Sequence, residues 1–194
     1  ISIRTTTAVL GTFGGLLITL GVSLWAVDSM RLTGTASDDS LVLMGEIPGL
    51  DMSSILLCGM LLAGLGALND VTITQVSTVW ELHAANPAMS RRRLFTQGMA
   101  VGRDHIASTV YTLAFAYVGT ALPMLMAAAL MQRSTVDLLQ VAQISEEIAR
   151  TLTASVGLIL AIPLTTVIAA WLAPVAPAKP YEEHEGIAAE GRDL

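Results

Sequence analysis

The chain predicts an all-α fold: a polytopic transmembrane helical bundle with four spans and amphipathic interfacial segments. Three observations lead there. Of its 194 residues, 53% are apolar and only 13% are charged, whereas a soluble domain carries about 25% charged residues. Mean hydropathy is +0.65. The apolar residues gather in four runs near the ~20 residues that a spanning helix needs, and the charges lie mainly between those runs and in the C-terminal stretch. The lipid bilayer is therefore the expected partner. Nucleic acid is not, because the only basic cluster is Arg91-Arg92-Arg93.

The first span is expected over 8–27, where Gly11 and Gly15 form a GxxxG pair and Trp25 suits the interface. Residues 28–52 read as an acidic loop, with a turn at Pro48-Gly49 and a short interfacial segment at Leu41–Met44. The second span covers 54–81, and Pro87 breaks the helix that follows it. Residues 88–103 set Leu94, Phe95 and Met99 against the three arginines. They predict an in-plane elbow capped by Ser90. The third span runs over 105–130, with Pro123 permitting a kink. Residues 131–150 predict an amphipathic surface helix that runs into the next span and in which Glu146 and Arg150 pair at i, i+4. The fourth span covers 151–171. Residues 1–172 thus form the transmembrane domain, and 173–194, rich in Pro, Glu and Gly, a disordered acidic tail. With the N-terminus inside, inner segments hold Arg4, Arg91, Arg92, Arg93, Arg103, Lys179 and Arg192, against Arg31, Arg133 and Arg150 outside. That balance places both termini in the cytoplasm, with the tail. The chain starts at Ile1 rather than Met, which suggests processing or a piece of a longer protein.

The functional candidate is Asp70. A carboxylate inside a spanning helix costs roughly 2.5–3.5 kcal/mol on insertion scales. Asp70 shares one helix face with Gly59, Ala63, Ala67, Thr74, Ser77 and Glu81 by spacings of three and four. The small residues on that face permit close helix approach and the polar ones do not suit lipid, so the face is expected to turn into the bundle. Asn69 stands beside the aspartate. In the third span Asp104, Ser108, Thr112, Ala116 and Gly119 form a matching face, run antiparallel, and Arg103 is a candidate to neutralise Asp70 or Asp104. Gly119 and Gly157 are further packing candidates. His83 and His105, without companion ligands, make no metal site. No nucleophile–base pair or phosphate loop suggests an enzyme, and no cofactor is implied.

A set of matching residues resembles the YibE/F-like family of bacterial multi-pass membrane proteins. They include Gly64 to Val71, Asn86-Pro87, Leu94-Phe95, Gly98-Met99, Val101 to Asp104, Ala116-Tyr117, Leu122-Pro123, Glu146 to Ile148, Arg150 to Leu152, Gly157-Leu158 and Pro163. The resemblance covers roughly 49–172 and implies an inner-membrane protein of which this chain is the C-terminal portion. It implies no activity. The order Gly66-x-x-x-Asp70, Glu81, a basic elbow, then Gly102-Arg103 and Ser108-Thr109 is similar to one stretch of the proton-driven RND exporters, an analogy that would make Asp70 a proton-coupling group. Two readings remain open. One is an ion- or proton-coupled transporter or permease component for an unidentified ion or small molecule. The other is a non-transporting structural or assembly subunit. Either is expected to need more helices, from a homo-oligomer or from further spans.

Overall fold

A computed structural model describes residues 2–131 and 141–175. It is all-helical over those residues: α1 (Ile3–Ser29), α2 (Asp38–Glu46), α3 (Met52–Ala85), α4 (Arg91–Leu130) and α5 (Ala142–Leu172), followed by a 3-10 turn at Ala173–Val175. The expected tail beyond 175 lies outside the described residues, as does most of the stretch between α4 and α5.

Local chemistry explains most of the helix starts. Orphan N–H groups in a first turn need an acceptor, and short polar side chains supply it. Ser2 accepts from the Thr5 N–H (3.2 Å), Ser37 from Ser40 (3.2 Å), Asp51 from Ser53 (3.1 Å) and Ser90 from Arg93 (3.4 Å). At the other end of α3, Asn86 closes the helix immediately before Pro87, a position where proline disfavours helical backbone.

One interfacial segment differs from expectation. The basic elbow and the third span are one continuous helix of 40 residues, α4. Nothing between Arg93 and His105 breaks it, because Gly98 and Gly102 are spent on packing and not on a turn. Residues 142–150 do run into the fourth span, as the opening turns of α5, with Ile144 and Ala149 buried. The run Leu41 to Met44 does sit in a separate short helix, α2, with all four side chains exposed.

α5 is the hub. It packs against α1, α3 and α4, while α3 also touches α1 and α4, so α1 and α4 occupy opposite flanks. Without a hydrophobic force between helices in lipid, association depends on close packing, which small residues permit. The contacts of the glycines show this. A methyl carbon placed on Gly11 would lie 2.8 Å from the Thr165 hydroxyl oxygen, and on Gly15 2.9 Å from the Ala161 methyl. On Gly64 it would meet Ala154 at 3.3 Å, and on Gly102 Ile162 at 2.8 Å. On Gly157 it would overlap Thr19 outright. By contrast Gly119, expected in a packing seam, has nothing within 4 Å. Only 6% of the apolar window of α4 is buried, against 50% for α5, so the later turns of α4 stand clear of the bundle.

A side chain at Gly157 should therefore separate α1 from α5. Gly157→Val is expected to cost about 1–3 kcal/mol, the usual range for overpacking. Gly21→Val, where nothing lies within 4 Å, should cost far less. Thermal unfolding of the two variants in one detergent checks the difference.

Candidate functional site

Asp70 lies midway along α3, in the stretch whose polar face was expected to turn inward. The structure turns the helix the other way. Its inward face is Met60, Gly64, Leu68, Val71, Thr72, Gln75, Val76 and Val79. Asn69, Asp70 and Glu81 are exposed, and Ala63, Ala67, Thr74 and Ser77 are half-buried. The physical reason is close approach. α3 carries two stripes at helical spacing, and the one with Gly64 and Gln75 meets Ala154, Gly98 and Thr166, which leaves the stripe with Asp70 outside. On α4, Leu94, Gly98, Gly102 and Leu113 face in, while Arg103, Asp104, Ser108, Thr112 and Gly119 are exposed.

The expected neutralisation of Asp70 within the chain does not form. Among the described residues the ion pairs are Arg4–Glu81 and Arg150–Glu147. Asp70 has no polar partner there, and the Arg103 Nε donates only to its own helix, to the Met99 carbonyl at 3.4 Å. Gly59, expected in a helix seam, instead receives the Arg150 guanidinium of α5, with an Nη 3.5 Å from where a Cβ would stand. Arg150 pairs with Glu147 at i, i+3 (3.7 Å), not with Glu146. Glu146 accepts from the Gly34 N–H at 3.0 Å and so ties α5 to the loop before α2.

Two of the sequence candidates do converge on a cavity. A lateral groove of about 400 Å³ opens between α1 and α3, lined by Arg4, Thr5, Thr12 and Phe13 on one wall and Asn69, Ile73 and Ser77 on the other. Consecutive helix positions are 100° apart, so Asn69 turns into the groove while Asp70 stays outside its lining. Thr12 and Thr72 share a hydrogen bond of 2.8 Å between the helices. Arg4 and Glu81 join α1 to α3 at one end of the groove, 3.3 Å apart and largely exposed, a geometry worth at most about 1 kcal/mol.

One polar residue of the interior escaped the sequence reading. Gln75 is buried, at 3% exposure, and its Nε2 donates to the Gly98 carbonyl and to the Thr166 hydroxyl, both at 2.8 Å. Gly98 and Gly102 admit it: a Cβ on Gly102 would lie 3.0 Å from the amide oxygen. Thr166 passes the chain on, donating to the Ile162 carbonyl at 2.6 Å. The signal was present. Gln75 continues the stripe of Gly64, Leu68 and Val71, and Gly98-x-x-x-Gly102 is a close-approach pair.

Four helices long and apolar enough to cross a bilayer make this a multi-pass membrane protein. A family model described as YibE/F-like protein matches residues 1–175, and the chain belongs to that family. The match takes in α1 and the acidic loop as well as the region that carries the resemblance. No curated protein and no solved structure was found to match the chain.

The Gln75–Thr166 bond should be measurable as a coupling between α3 and α5. Gln75→Leu and Thr166→Val are each expected to destabilise the bundle. Their double-mutant cycle should give about 0.6–1.7 kcal/mol, the range seen for side-chain hydrogen bonds in membranes. Denaturation in detergent supplies the four stabilities.

Proposed function

We propose that the chain is a non-enzymatic, ion- or proton-coupled transporter or permease component of the bacterial inner membrane, with Asp70 as the coupling carboxylate. One observation carries this reading. A carboxylate stands midway along an apolar helix of 34 residues with no counter-charge among the described residues. Insertion scales put the cost of such a group at roughly 2.5–3.5 kcal/mol, and cation binding or protonation relieves it. Asp70 takes up and releases the ion. Asn69 and Ser77 supply polar groups in the groove beside it, and Thr74 lies on the same side of α3. Glu81, paired with Arg4, stands at the end that the arginine count assigns to the cytoplasm. Arg103, Asp104, Ser108 and Thr112 form the corresponding polar edge of α4.

Asp70→Asn keeps the size of the side chain and removes its charge. The variant is expected to insert and melt like the parent. In proteoliposomes with an imposed pH gradient and a potassium–valinomycin clamp, its proton flux should fall about 100-fold or more, the scale of loss that removing a proton-transfer group produces. Parent and variant fluxes that agree would remove the transport reading.

The outward placement of the α3 stripe supports a second reading, a structural or assembly subunit whose polar face is covered by other helices. It predicts flux from neither protein and loss of a co-purifying component from the variant.

A further inference from the structure

We infer that the outward stripe of α3 is the binding surface for a second copy of this chain, and that Asp70 is met there by Arg103 of the partner subunit. The inference deepens the proposed role of Asp70 by naming what stands opposite it.

The glycines divide into two sets. Those facing the hub, Gly11, Gly15, Gly64, Gly98, Gly102 and Gly157, each hold a neighbour so close that a Cβ would collide or crowd. Gly66, Gly119 and, in α1, Gly21 have nothing within 4 Å. A glycine inside a helix is destabilising unless its missing side chain is used. Gly66 lies one turn from Asp70 on the exposed side of α3, which therefore presents a small-residue track beside the carboxylate where this chain supplies no neighbour. Gly119 lies about 160° around α4 from Arg103 and takes no part in that track.

Charge chooses the occupant. Asp70 is an exposed carboxylate without a cation, and Arg103 an exposed guanidinium without a carboxylate among the described residues. They also share a level. Gln75 touches both Gly98 and Gly102, and α3 and α4 run antiparallel. Five residues from Gln75 to Asp70, a rise of ~7.5 Å, thus correspond on α4 to a move from 98–102 to 103–107. Copies inserted in one orientation keep their level in the bilayer, so side-by-side contact brings α3 of one against α4 of the other with the two charges at equal depth. Asp104, next to Arg103 but about 100° around the helix, is left to face away from that contact. The contact is heterologous, because the carboxylate and the guanidinium come from different faces.

The test is association of full-length chains, labelled with donor and acceptor dyes and reconstituted in liposomes at varied dilution, with no gradient imposed. Asp70→Lys and Arg103→Glu should each weaken association at least about tenfold, as breaking a close interfacial charge pair does. The exchanged double variant, Asp70→Arg with Arg103→Asp, should regain most of it. Gly66→Leu should also weaken association while its thermal unfolding in detergent stays that of the parent. Absence of association in the parent, single variants that associate normally, or an exchanged variant that fails to recover would each overturn the interface. The coupling role is read separately from flux. Failed exchange with flux lost in Asp70→Asn removes the interface alone. Successful exchange with flux retained in Asp70→Asn removes the coupling role alone.

Discussion

The fold depends on backbone-to-backbone approach at α5. Lipid tails are as apolar as leucine, so burying leucine between helices gains little in a membrane. What remains is dispersion, which falls off steeply with distance. Gly11 and Gly15 bring α1 onto Thr165 and Ala161, Gly64 brings α3 onto Ala154, and Gly98 and Gly102 bring α4 onto Thr166 and Ile162. Gly157 returns the favour from α5 toward Thr19. The threonines and alanines of α5 are thus matched by glycines on its neighbours, and a larger residue on either side opens the seam.

The same constraint sorts the polar residues. A buried amide is tolerated only when its donors find acceptors. Gln75 meets that condition because the gap left by two glycines of α4 lets it reach a main-chain carbonyl and a hydroxyl at once. Thr7, Thr19, Thr153 and Thr166 do so by donating to their own helix carbonyls one turn back. A carboxylate has no such recourse: it carries no donor and the interior offers it no cation. Asp70 therefore lies on the outside of the chain, where an ion or another subunit can reach it.

The two ends of the bundle are built differently. At one, Arg4–Glu81 is an exposed ion pair and Arg91 stacks over Trp171 at 4.9 Å. At the other, Arg150 is half-buried against Gly59 and Glu147, and Glu146 holds the Gly34 turn, whose backbone takes a positive φ of 70°. An exposed pair yields easily to solvent and salt. A half-buried arginine lodged against Gly59 of α3 is screened less.

Composition and periodicity alone established four membrane helices, the helix stop before Pro87 and the cap at Ser90, because each rests on the chain's own backbone and its immediate neighbours. They also located a polar stripe on α3, since spacing of three and four is a local property. Which way that stripe points was not legible. Asp70 and Gln75 are five residues apart on one helix, both polar and both in apolar surroundings, and nothing local says which is inside. That was decided by Gly98, Gly102 and Thr166, residues 23 to 91 positions away, which together make a socket for an amide and none for a carboxylate. Continuity of α4 through Gly98 and Gly102 was decided in the same way: a glycine that reads as a break in isolation becomes a contact once another helix lies against it.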